Sequence, residues 1–309
     1  MLGISTCWWH GKSFRGDEIV NDALRLGFPG VELEYRISHR TYQEMKPKLK
    51  KELAVLSIHN FFPGPDDPGF ETGSGDLFFL SSDDREECST AIKNTVRTIE
   101  HANELECNAV ILHLGRVDMP SPAERFKDLF NNGKIDDSEG QVFLEEQRGI
   151  RQSKHRRNLD ATLFGLEKLN RVAERNGVFL GIENRYHFHE IPDFEEIGII
   201  LKEFKGGRLR YWHDVGHAQA MENLGICRQK DLLDTYSDDM IGIHLHDIKG
   251  LDDHYSPGQG EIDFVEVWSH LKQDVIKIME INSRVEREAL MEGREVIVGA
   301  EIRLNPMRQ

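Results

Sequence analysis

The chain has 309 residues, 39% of them hydrophobic, and a formal net charge of -15. That supports a sizeable core in one large domain or two ordinary ones, and no window approaches the ~18 apolar residues needed to cross a bilayer. The acidic balance also opposes duplex DNA as a partner unless a local basic surface exists, because phosphate contacts dominate that affinity.

Short apolar runs alternate with amphipathic stretches. Residues 2–6 form the first strand candidate, followed by a helix over 17–26 that stops at Gly27. Residues 31–34 are the second strand, 42–53 a Lys-rich helix and 54–59 the third strand. The Gly-, Pro-, Asp- and Ser-rich stretch 60–84 reads as a long loop, and 85–106 carries apolar residues at helical spacing. The fourth strand spans 108–114. Residues 116–154 break the rhythm with a mixed-charge run and read as an insertion with some helix. A helix follows over 158–176, closed by Gly177, and 178–183 is the fifth strand. The rest reads as helix 193–205, strand 209–214, helix 231–236, strand 241–246, helix 264–272, strand 275–281 and helix 284–295.

Eight strand–helix units predict a parallel sheet, and eight in succession predict a single closed (β/α)8 barrel with insertions after strands three and four. The alternative, an open doubly wound sheet, lacks the G-x-G-x-x-G turn after its first strand that a nucleotide-binding version needs. The N-terminus has no basic region followed by a long apolar run, so a secretory signal is not expected. Cys7, Cys88, Cys107 and Cys227 are scattered without a C-x-x-C pair, which suits reduced thiols in the cytoplasm.

In such a barrel, functional groups sit at the carboxyl ends of the strands. Strand three ends in His59, strand four in His113, strand five in Glu183 and strand six in Asp214, with His217 three residues on. Strand seven carries His244 and His246, which share a face because they lie two apart, and Asp252 and His254 follow in a loop framed by Gly250 and Pro257-Gly258. Strand eight ends in Glu280. A lone histidine after a strand is usually a hydrogen-bonded loop residue. Six successive strands ending in His, Asp or Glu point instead to a divalent metal site.

The motifs are Ile182-Glu183-Asn184, Asp214-Val-Gly-His217, His244-Leu-His246-Asp247, the loop Asp252-Asp253-His254-x-x-Pro257-Gly258-x-Gly260, and Met279-Glu280-Ile-Asn282. In this order the chain resembles the xylose isomerase-like TIM-barrel superfamily. That superfamily includes sugar isomerases, ketose 3-epimerases and apurinic-site endonucleases of the endonuclease IV type. The epimerase-like resemblance implies one ion held by Glu183, Asp214, His244 and Glu280. His244 is preferred to His246 because the family ligand lies three residues before an acid, here Asp247. The endonuclease-like resemblance implies a trinuclear cluster that adds His59, His113, His217, Asp252 and His254. One to three ions of zinc, manganese, magnesium or cobalt are therefore open.

The leading expectation is isomerisation or epimerisation of a sugar or sugar phosphate. An ion would polarise the substrate carbonyl, and Glu183 and Glu280 would move a proton through an enediolate. His217 would bind a substrate oxygen, Arg185 and Lys249 a hydroxyl or phosphate, and Trp8 would wall the pocket. Glu34 is expected to orient a ligand histidine, and Tyr186, His187, His189 and Glu190 to shape the pocket. Glu183-Asn184-Arg185 departs from the aldose-isomerase E-x-K pattern, which argues against a true xylose isomerase. The competing expectation is multi-metal phosphoester hydrolysis, and a third is a barrel that keeps its metal for stability alone. The one basic run, residues 148–157, reads as a solvated helix balanced by Glu145 and Glu146. The expected partner is a small-molecule sugar and no membrane; nucleic acid is disfavoured but, like homo-oligomerisation, left open.

Overall fold

The computed structural model describes residues 1–64 and 74–304. Eight parallel strands close into a barrel in the order β1-β10-β7-β6-β5-β4-β3-β2. They are β1 (Leu2–Ser5), β2 (Gly30–Leu33), β3 (Ala54–His59), β4 (Ala109–Leu112), β5 (Phe179–Glu183), β6 (Leu209–Asp214), β7 (Met240–Leu245) and β10 (Ile276–Met279). The remaining two, β8 (Asp247–Lys249) and β9 (Asp252–Tyr255), form an antiparallel hairpin beyond β7. The helices are α1 (Gly16–Arg25), α2 (His39–Met45), α3 (Arg85–Glu104), α4 (Ala123–Asn131), α5 (Ser138–Asn176), α6 (Phe194–Glu203), α7 (Val215–Asn223), α8 (Gln229–Tyr236), α9 (Phe264–Ser269) and α10 (Arg287–Leu304). No helix of the described residues is long and apolar enough to cross a membrane.

Successive residues of a barrel strand face opposite sides. On β4, Val110 and Leu112 join the large outer core, whereas Ala109 and Ile111 pack with Trp212 and Ile278 in a separate small cluster. Trp212 takes up so much of that space that Gly242 must be glycine and a side chain at Gly181 would be tight. A Cβ on Gly242 would lie 2.0 Å from its ring, and one on Gly181 3.1 Å away.

Three local readings change. The stretch read as an insertion followed by a helix is α4 and then one helix of 39 residues, α5. Asp137 caps it by accepting from Glu139 and Gly140 N–H, and Gly177 ends it at φ 70. Its buried stripe runs from Leu144 through Leu159 to Ala173, so tertiary packing overrides the interrupting charges. The loop after β7 contains the hairpin, which turns at Gly250 (φ 60). A helix not expected from the sequence, α7, starts directly after Asp214, whose side chain accepts from His217 N–H at 2.7 Å.

Candidate metal centre

Parallel strands deliver their last residues to one end of the barrel. There the ligand atoms of Glu183, Asp214, His244 and Glu280 all lie within 4.8 Å of one another, and all four residues are buried. His244 Nδ1 is 2.8 Å from Glu183 Oε1, 3.0 Å from Glu280 Oε2 and 3.5 Å from Asp214 Oδ2. A second group, His59, His113 and Glu183, shares Glu183 with the first. His113 Nε2 is 2.8 Å and His59 Nε2 3.8 Å from Glu183 Oε2. The two oxygens of Glu183 thus face different groups.

Three carboxylates this close and this buried repel one another unless a cation lies among them. In the protein alone, protonated imidazole supplies that charge. Burial opposes ionisation of Glu183, but hydrogen bonds from His113, His244 and His59 outweigh it and hold the carboxyl well below its usual range. Asp214 is likewise lowered against burial, by His217, His246 and His244. His244 is raised well above its ordinary value: burial lowers it, and Glu280 and Glu32 more than reverse that. A divalent ion would replace these protons, so the donor set fits one.

The surrounding residues fix the ligands. Asn184 clamps Asp214 from both sides, donating to its carbonyl at 2.9 Å and accepting from its N–H at 2.8 Å. His246 Nδ1 accepts from His254 N–H at 3.0 Å, so Nε2 carries its proton and donates to Asp214 at 3.0 Å. His246 therefore orients Asp214, and His244 is the imidazole among the four candidate ligands. His217 Nδ1 donates to the Asn184 carbonyl at 3.1 Å. Glu32, rather than Glu34, lies behind His244, at 3.1 Å from Nε2. Glu34 pairs with Arg36 at 2.7 Å. Asp76 accepts from His113 Nδ1 at 3.0 Å, and a Cβ on Gly75 would lie 2.7 Å from that nitrogen.

Other expected site residues lie elsewhere. Asp252 is exposed and bonds Tyr255 Oη at 2.6 Å and Arg284 at 2.9 Å. The left-handed backbone of His254 (φ 60) breaks strand alternation, and Asp253 instead lies 2.9 Å from His254 Nδ1. The third group implied by the endonuclease-like resemblance is thus not assembled among the described residues. His254 Nε2 is 3.7 Å from Glu280. Arg185 is buried beside the centre, 3.2 Å from Glu183, 3.1 Å from Glu190 and 3.4 Å from Asp76. Lys249 is exposed and its Nζ sits over the Tyr255 ring. Trp8 is buried in the outer core with its indole N–H on Val285 O at 2.9 Å, so packing accounts for it.

Sequence reasoning gave no role to Glu32 or Asp76, weighed His246 only as the alternative to His244, and used Asp247 only as the acid that marks the ligand histidine. Asp247 is a loop organiser: its carboxylate accepts N–H from Gly258 and Gly260 at 2.8 Å and from Ile262 at 3.1 Å. Its place in a His-x-x-Asp pattern before Pro-Gly-x-Gly was the available signal.

A closed ring of eight parallel strands with helices outside it and a ligand cluster at its carboxyl end defines a TIM barrel. Residues 20–298 match the xylose isomerase-like TIM barrel family, and the chain belongs to it. An uncharacterized protein of Methanocaldococcus jannaschii is 31% identical over 149 residues, 45% of this chain and 50% of that protein. The chain matches about half the length of that curated relative. Among solved structures, a D-tagatose 3-epimerase-like protein is similar at TM-score 0.67 and 19% identity, covering 99% of this chain and 98% of that one. The 3-keto-D-glucoside 4-epimerase of E. coli follows at TM-score 0.66 and 16% identity, covering 96% and 98%. The IOLI protein with a bound zinc atom reaches 0.61 at 14%, covering 98% and 97%. At these identities the likeness concerns the fold.

Proposed function

We propose that this protein is a divalent-metal-dependent isomerase or epimerase of a sugar or sugar phosphate, working as one barrel domain in the cytoplasm. The observation that carries the reading is the convergence of Glu183, Asp214, His244 and Glu280 from four strands onto one point. An ion bound there supplies Lewis acidity toward adjacent substrate oxygens and acidifies the neighbouring C–H. The contacts of Glu280 to His244 and His254 run through Oε2, which leaves Oε1 to take that proton. Glu183 Oε2 lies 2.8 Å from His113 Nε2, so Glu183 would take up a proton from that imidazolium and return it to the substrate carbon from the other side. His217 Nε2 would hold a substrate hydroxyl. All four cysteines are free thiols, in keeping with a reducing compartment.

The sharing of Glu183 by two ligand groups favours a second reading, two-ion hydrolysis of a phosphoester. A panel of ketoses and sugar phosphates, assayed beside an abasic-site oligonucleotide after zinc or manganese loading, separates the two. Interconversion of a ketose supports the first reading. Cleavage of the oligonucleotide without sugar turnover overturns it.

A further inference from the structure

A cavity of about 290 Å³ opens beside Asp76, the hydrogen-bond partner of His113. Asp76 and Glu190 line it, and each is already ion-paired, Asp76 through Oδ2. Asp76 is paired with His113 and Arg185, and Glu190 with Arg185 and the N–H of His187. The other polar side chains in its wall are Arg116, Ser121, His187 and His189, and all four can donate hydrogen bonds. Arg116 is exposed and lies over the Phe79 ring at 4.8 Å, and no carboxylate pairs with it among the described residues. His189 is 5% exposed, and its Nδ1 is buried without a partner. Burial lowers the affinity of His189 for a second proton, so it stays neutral with one N–H to give. Arg185 cannot serve here, because three carboxylates already surround it, and Lys249 is stacked on Tyr255.

We propose that this cavity is a subsite for a compact oxyanion, a phosphate or carboxylate, at the far end of the substrate. Arg116 provides the charge and His189 a directional N–H. The subsite narrows the substrate class of the sugar reading, on which it rests, to phosphorylated or acidic sugars. It also makes Arg116 the residue that separates these from neutral ones. An arginine exposed at a cavity rim and opposed by uncommitted donors is suited to planar, bidentate capture of an oxyanion.

The test is calorimetric titration of the metal-loaded full chain with inorganic phosphate, and separately with D-glucuronate. The same titrations are run on Arg116→Ala and Arg116→Lys. Arg116 is exposed, so both variants should keep the wild-type melting temperature. The wild type is expected to bind one or both probes, with Arg116→Ala weaker by about tenfold or more and Arg116→Lys intermediate. The better probe tells phosphate from carboxylate. Equal binding by wild type and Arg116→Ala, as expected if a metal ion alone held the anion, overturns the proposal. So does no binding of either probe at millimolar concentration. Because no turnover is read, a failed ketose assay with intact Arg116-dependent binding sinks the isomerase reading and leaves the subsite standing.

Discussion

Glu32 Oε2 lies 3.1 Å from Nε2 of His244, on the opposite edge of the imidazole from the three carboxylates that face Nδ1. Ser57 Oγ donates to the same oxygen at 2.8 Å, and Glu32 is fully buried inside the barrel. A carboxylate behind a histidine holds the proton on the nitrogen it faces, here Nε2, and raises the basicity of the other, here Nδ1. Glu32→Gln is expected to keep the fold and weaken metal binding about 10- to 100-fold. Competition with a chromogenic chelator measures this; unchanged affinity would show that Glu32 serves packing alone.

His244 and His246 share a strand face but differ in task. His244→Gln should leave a chain that cannot retain stoichiometric metal. His246→Gln, which loses the bonds to Asp214 and to His254 N–H, should keep its metal with about tenfold lower affinity. Elemental analysis after dialysis distinguishes them, and the reverse order would make His246 the ligand.

The pH dependence follows from His113. Burial and Arg185 lower its pKa, but Asp76 and Glu183 reverse this and push it up to about 9. An unfolded histidine titrates near ~6.5. The folded value is the higher one, so this contribution is complete below pH ~6.5 and is lost as pH rises through about 9. The metal-free chain should therefore melt progressively lower across that window, and His113→Gln should flatten the decline.

Glu280→Gln removes the proposed proton acceptor while keeping its shape. Turnover should fall by at least ~100-fold with an unchanged melting temperature. Undiminished turnover would remove Glu280 from the chemistry.

Asp247 bonds at least three backbone N–H groups of the loop over the barrel mouth. Asp247→Ala leaves buried donors unpaired and should cost about 3 kcal/mol or more. Urea denaturation measures it, and a loss below ~1 kcal/mol would contradict this role.

The barrel and its mouth were legible in the sequence for one reason. A parallel β/α repeat alternates apolar runs with amphipathic ones, and every strand ends at the same side. His59, His113, Glu183, Asp214, His244 and Glu280 each follow an apolar run, so order along the chain translated into proximity. The sequence did not separate Glu32 from Glu34 or His246 from His244. Residues two apart on a strand share a face, and depth along the barrel axis then decides which nitrogen or oxygen meets which. The α5 helix was read in two parts because its exposed charges carry no period, and only packing against α3 and the barrel reveals one helix.

Sequence by itself determined the eight-fold repeat, the residue types at each strand end and hence a candidate cation site, because local hydrophobic period and chemical identity survive unfolding. Tertiary structure alone decided that Glu183 divides its oxygens between two groups, that Asp253 and not Asp252 turns inward, and that Arg116 stands open beside His189. Those are distances between side chains far apart in the chain, and no local pattern encodes them.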